Sequence, residues 1–390
     1  MNTGTALPPA RLEARIDLGT LRANVRRLRE IAAPAAVMAV VKANAYGHGL
    51  TPCARAALEA GATWLGTAVP EEALTLRAAG IEAPILTWLH SPGDDFDALV
   101  RGRVDISISG RWALLEVLDA VQRTGVPARV QLKADTGLGR NGIQPRDWPL
   151  VVDEAVKAEH HGQLTVTGIW SHFACADEPG HPSIPLQLAA YQEALDYALG
   201  AGLRPEVRHM ANSPATLSIP ESHFDLVRTG VAMYGLSPAP ELGVPADYGL
   251  RPVMTLVARL ASVKHVPAGH GVSYGHTYST GESTRLALVP AGYADGVPRS
   301  ASGTGPVSIG GRRYTVAGRV AMDQFVVDLG PGGEDEPEPE AGDEAVLFGP
   351  EDADGPTAED WARAAGTIGY EIVTRIGPRV PRVYQGMNPG

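Results

Sequence analysis

Two textures alternate over the first two thirds of this chain. Short apolar or β-branched runs are followed by stretches whose apolar residues recur at helical spacing. Eight such runs stand out: Ala36–Val41, Thr63–Ala68, Ala83–Leu89, Val104–Ser109, Ala128–Lys133, Thr165–Ser171, Glu206–Met210 and Phe224–Arg228. Helical patterns such as Pro70–Ala79, Arg111–Arg123 and Ile184–Ala201 separate most of them. A further run, Ala14–Leu18, leads into a helix carrying Leu21, Val25 and Leu28 on one face. Alternation of this kind predicts an α/β fold, a parallel sheet with helices outside it. Eight repeats match a closed (β/α)8 TIM barrel better than an open doubly wound sheet, which is the alternative.

After Gly249 the texture changes. Val253–Val266, Arg285–Val289, Ala345–Phe348 and Tyr370–Ile376 read as strands, and only Thr357–Ala365 reads as a helix, with Thr357 as its cap. The expected organisation is a barrel over residues 14–248 and a mainly β domain over 249–390, on which segment 1–13 is free to pack. The acidic stretch Gly332–Glu344 reads as a solvated loop.

Composition narrows the class. At roughly 150 residues per domain, 390 residues suit two domains. Hydrophobic residues at 44% and charged residues at 20% exclude wholesale disorder and coiled coil. A net charge of −11 leaves no general footprint for nucleic acid or an anionic membrane. The longest apolar run, Ile31–Val41, is broken by Pro34 and is too short to span a bilayer. The first residues lack a basic-then-apolar signal pattern, so a cytoplasmic protein is expected. Cys53 and Cys175 have neither zinc nor disulfide spacing and read as small buried hydrophobes. No metal is expected.

A barrel keeps its chemistry at the C-terminal ends of its strands. The first run ends in Lys42 and ANAYGHG. The fifth ends in Lys133, Asp135 and a glycine-rich loop with Arg140. The sixth runs into His172, the seventh into Asn212 and Ser213, and the eighth into Arg228, Thr229 and Gly230. Lys42 follows five apolar residues, so desolvation should lower its pKa and free its amine for a Schiff base. A lysine snorkelling from a strand end fits the same residues. Barrels often hold phosphate in the loops after strands seven and eight. There Ser213 and the N–H groups around Gly230 and Val231 could cradle an anion, with the Tyr46 phenol nearby. Ser213 alone reads equally as a helix cap. A lysine with a phosphate cradle is the outline of a pyridoxal phosphate (PLP) site.

VVKANAYGHG (40–49), LKADTGLGRNG (132–142), GIWSHFACADE (168–178), HMANSPATL (209–217), FDLVRTGVAMYGLSP (224–238), VSYGHTY (272–278), GYADG (292–296), GRVAMDQ (318–324) and TIGYEIVTRIGPRVPRVY (367–384) closely resemble, in order, the motifs of PLP-dependent alanine racemase. The resemblance implies a (β/α)8 barrel plus a β domain. It also implies a homodimer whose active sites are shared between subunits, and interconversion of L- and D-alanine for peptidoglycan. Lys42 would carry the cofactor, and Tyr274, from the other subunit, would be the opposing acid/base. Tyr46, Ser213, Gly230, Val231 and Tyr370 would bind the phosphate, beside Asn212. Arg228 would contact the pyridine nitrogen, with His172 linking it to Tyr274 and His209 supporting it from behind. Arg140 and Met322 would hold the substrate carboxylate, with Asp323 as support. Lys133 would be carbamylated and orient Arg140; a plain Lys133–Asp135 ion pair is the alternative.

Racemisation passes through a planar carbanion, so protons must reach both faces. Lys42 and Tyr274 supply the two groups. Each acid/base group of this kind contributes about 10²–10⁴-fold. By itself Tyr274 reads as a packed strand aromatic. The chain departs from the family at Ala321, where many members have cysteine, and at Trp170-Ser171, where Tyr-Thr is commoner. These leave activity toward serine open. A same-fold PLP decarboxylase normally has a late cysteine-centred motif, and no cysteine follows Cys175. A barrel-only PLP carrier would lack the long β domain.

Overall fold

The structure is a computed structural model that describes residues 10–239, 243–332, 338–350 and 355–387. The chain divides into two compact units: residues 21–250, and the described residues up to Thr20 with those from Arg251 onward.

The first strand, β1 (Leu12–Asp17), belongs to the second unit. The first unit holds eight strands: β2 (Ala36–Val40), β3 (Trp64–Thr67), β4 (Ile85–Thr87), β5 (Asp105–Ile108), β6 (Ala128–Lys133), β7 (Leu164–Trp170), β8 (Val207–His209) and β9 (Leu226–Thr229). They form one parallel sheet in the order β8-β7-β6-β5-β4-β3-β2-β9. Two backbone hydrogen bonds span the β8/β9 seam, Asp225 N–H to Arg208 O at 3.1 Å and Arg228 N–H to Ala211 O at 2.9 Å. All eight expected runs are strands of this nearly closed (β/α)8 barrel.

Local chemistry explains the outer helices. Helix Pro70–Ala78 starts with proline in its first turn followed by Glu71 and Glu72, which suit the positive end of the helix dipole. Helix Arg111–Thr124 buries Ala113, Leu114, Val117, Ala120 and Val121 as one stripe and ends at Gly125 with φ 69°. Inside, Met38, Trp64, Leu86, Trp170, Val207 and Leu226 form one cluster. Each such large apolar side chain contributes about 1.5–3 kcal/mol on burial.

The second unit has a six-stranded sheet in which β1 lies between Met254–Arg259, antiparallel, and Arg382–Gln385, parallel. Residues 14–17 therefore lie outside the barrel to which the sequence assigned them. Buried and half-buried residues alternate along LEARID, the pattern of a sheet covered on one face, whereas β3 is buried throughout. Segment 1–9 and residues 333–337 of the acidic loop lie outside the described residues. Helix Ala358–Ala365 forms as expected, with Thr357 Oγ1 accepting the Asp360 N–H at 3.1 Å. Tyr370–Ile376, expected as a strand, is instead covered largely by helix Gly369–Thr374, which buries Ile372 and Val373. Packing of that short apolar face overrides the β preference of adjacent Ile and Val. Cys53 is fully buried and Cys175 half-buried.

Candidate active site

β2 delivers Lys42 to the C-terminal mouth of the barrel, where the chain enters a left-handed turn. Ala43, Asn44, Ala45 and Tyr46 all have φ between 52° and 55°. Such a conformation costs about 1–2 kcal/mol per residue for ordinary side chains. Specific bonds hold it: Ala43 N–H donates to Glu72 Oε1 at 2.6 Å, and Leu50 N–H to Asn44 Oδ1 at 2.8 Å. The other Glu72 oxygen accepts the Ala68 N–H at 2.9 Å, tying the turn to the end of β3. Lys42 is half-buried. Burial and the Arg140 and Arg228 charges pull its amine below the usual lysine range, against an opposing pull from Glu72.

Arg228, at the end of β9, is buried without a carboxylate among its hydrogen-bonding partners. Nη2 donates to Ser171 O at 2.8 Å, Met210 O at 3.0 Å and His172 Nδ1 at 3.1 Å, while Nη1 donates to His209 Nδ1 at 3.0 Å. Burial lowers its pKa to about 9, so it stays cationic at neutral pH. Burial, then the Arg228 charge, holds His172 and His209 well below the ordinary histidine range. Both imidazoles are therefore neutral. Arginine has no acceptor, so each Nδ1 accepts and each Nε2 carries the hydrogen.

Lys133 is buried at the end of β6, with its amine 4.3 Å from the centre of the Trp170 ring. Burial, then Arg228 and Arg140, bring its pKa down to about 7. The alternative reading, a Lys133–Asp135 ion pair, is not seen; Asp135 instead accepts the N–H groups of Gly137 and Gly139 at 3.1 and 3.2 Å. Arg140 is exposed on that loop. Trp170 also lies under Arg228, 4.7 Å from Cζ, and stacks on His209 at 5.6 Å.

After β8, Asn212 caps helix Ser213–Ser218 by accepting the Ala215 N–H at 3.2 Å, so capping falls to Asn212 rather than Ser213. The Ser213 hydroxyl instead accepts the N–H groups of Gly230 and Ala232 at 2.9 and 3.4 Å. A Cβ on Gly230 would run into the Tyr46 hydroxyl. Ser213, Gly230 and Tyr46 thus meet at one place, with Val231 next in the chain. The barrel brings together Lys42, Tyr46, Lys133, Arg140, His172, His209, Asn212, Ser213, Arg228, Gly230 and Val231. Sequence reasoning missed Glu72 and Gln131 and underrated Trp170. A proline-led helix start marked Glu72; nothing local marked Gln131.

In the second unit, Tyr274 is 71% exposed. It sits in a tight turn after Ser273, whose φ is 61° and whose hydroxyl donates to Arg319 O at 2.7 Å. Met322 is exposed, and its carbonyl accepts the Ala294 N–H at 2.9 Å. Asp323 pairs with Arg379 at 2.8 Å, and Tyr370 lies half-buried in helix Gly369–Thr374.

Comparisons with known proteins agree with these motifs. The family "Alanine racemase, N-terminal domain" matches residues 16–238, and "Alanine racemase, C-terminal domain" matches residues 253–384. An alanine racemase of Streptomyces coelicolor is 66% identical, over 96% of both chains. The crystal structure of alanine racemase from D-cycloserine-producing Streptomyces lavendulae is 64% identical, with TM-score 0.95 over 98% of this chain and 99% of that one. The Bacillus anthracis alanine racemase solved with bound L-Ala-P is 35% identical, with TM-score 0.88 over 97% and 96%. The chain belongs to the alanine racemase family.

Proposed function

We propose that the barrel binds pyridoxal 5′-phosphate on Lys42 and that the chain interconverts L- and D-alanine as a cytoplasmic homodimer, supplying D-alanine for peptidoglycan. The observation that carries this reading is the Lys42 amine, held below its usual pKa at the same mouth as a buried Arg228 with only neutral acceptors. The donor set fits the cofactor. The meeting of Ser213, Gly230 and Tyr46, with Val231 beside them and Asn212 fixing the adjoining helix, suits a phosphate; the family resemblance assigns Tyr370 to the same phosphate. Among the described residues no helix is long and apolar enough to cross a membrane.

When bound, pyridoxal phosphate supplies the conjugation that acidifies the substrate α-hydrogen. Lys42, with its lowered pKa, takes or returns that proton on one face. The partner's Tyr274 does so on the other, which suits an exposed tyrosine on a braced turn. His172 accepts from Arg228 through Nδ1, leaving its Nε2–H to bond that tyrosine. Arg228 would hold the ring nitrogen as a donor, and its guanidinium would not readily yield a proton there. Arg140 and the Met322 N–H hold the substrate carboxylate, with Asp323 anchoring the Met322 loop through Arg379. The L-Ala-P bound in the Bacillus anthracis relative supports alanine as the substrate to assay first. Serine is the second substrate to assay, since Ala321 leaves more room beside Met322 than cysteine.

The test is to load the purified protein with pyridoxal phosphate, reduce it with borohydride and map the modified peptide, while following D-alanine formation from L-alanine. Modification of Lys42 together with racemisation supports the reading. Modification elsewhere, or no D-alanine, overturns it.

A further inference from the structure

Gln131 lies inside the barrel on β6, fully buried and in register with Gly168 on β7. A Cβ on Gly168 would fall 2.6 Å from the Gln131 amide carbon, so the missing side chain there makes room for the amide. Gln131 Oε1 is 2.7 Å from His209 Nε2, and His209 Nδ1 is 3.0 Å from Arg228 Nη1. Three acceptors meet Arg228 Nη2. Among the described residues, His209 is the only one that meets Nη1.

These contacts run in one direction. Arg228 donates to His209, and His209 donates to Gln131. The reverse amide orientation would set N–H against N–H. The arrangement leaves the Gln131 NH₂ group buried without a partner. An orphaned buried donor is a net cost to folding. A leucine would fill the same space without that cost, so packing does not account for an amide at this position. The acceptor facing His209 does.

We propose that Gln131 is a positioning residue: it fixes the hydrogen of His209 on Nε2 and so keeps Nδ1 available to hold Arg228. Without Oε1, the hydrogen gains access to Nδ1, where it would oppose Arg228 Nη1–H. The guanidinium then loses its support on that side and its alignment in the cofactor site. This inference rests on the role proposed for Arg228.

The experiment is histidine-selective ¹⁵N NMR on the holoenzyme and its variants, with the His209 signals assigned by their loss in His209→Gln. In the unsubstituted protein, His209 Nε2 should be protonated and Nδ1 bare. Gln131→Leu should give a mixture of the two tautomers and lower kcat about tenfold, the scale of one lost hydrogen bond, with KM within about twofold. Gln131→Glu retains an acceptor and should return the hydrogen to Nε2. Because leucine also removes the orphaned NH₂, the Gln131→Leu protein should remain folded, which circular dichroism checks. A single Nε2–H tautomer in Gln131→Leu overturns the proposal. So does an unchanged kcat. If the unsubstituted enzyme lacked racemase activity, the functional reading would fail, yet the tautomers would still decide the role of Gln131.

Discussion

Lys133 shows how one buried side chain can tie the site to pH. Its amine titrates near 7, against about 10.4 in an unfolded chain. Between those values the unfolded chain holds the extra proton, so folding stability attributable to this residue rises with pH. Below the lower value a charged amine sits buried beside Arg228 and the penalty is complete. The same titration creates a neutral amine near pH 7, able to add carbon dioxide and become the anion that orients Arg140. The expected outcome is a ¹³C carbamate signal in labelled bicarbonate that grows from pH 6 to pH 8 and vanishes in Lys133→Met. A signal that shrinks across that range, or survives in Lys133→Met, would contradict it. Trp170 belongs to this scale too. It differs from the commoner family residue, yet its ring touches Lys133, Arg228 and His209 together.

The left-handed turn after β2 aims Lys42, and Glu72 is the clamp on that turn. Replacing Glu72 by alanine strips acceptors from the Ala43 and Ala68 N–H groups. The expected loss is about 1–3 kcal/mol in denaturant unfolding, with kcat reduced at least as much as in a control of equal stability loss far from the mouth. Equal kcat in Glu72→Ala and the unsubstituted enzyme would remove Glu72 from the account. Elements of this kind divide by how readily the sequence reveals them. The eight barrel strands were legible because strands covered on both faces read as unbroken apolar runs. Helix Gly369–Thr374 was not, because adjacent Ile372 and Val373 imitate a strand. The left-handed turn was hidden for a related reason: Ala-Asn-Ala-Tyr carries no glycine, and the flanking Gly47 and Gly49 mark only where it ends. Lys42, Ser213 and Arg228 were legible as strand-end polar residues. Gln131 was not, since its meaning depends on β8 and β9 across the barrel.

At the scale of the whole molecule, the two proton-transfer groups proposed above are divided: Lys42 is in the barrel and Tyr274 is on an exposed turn of the β unit. A twofold dimer, the commonest oligomer, would let each copy complete its partner's site. Mixing Lys42→Ala chains with Tyr274→Phe chains tests this arrangement most directly. After subunit exchange, half of the dimers are hybrids, each with one intact site and one doubly defective site. The mixture should therefore recover about one quarter of the unsubstituted activity, although each variant alone is nearly inactive. No recovery, with exchange verified by differential labels, would contradict the shared two-faced site.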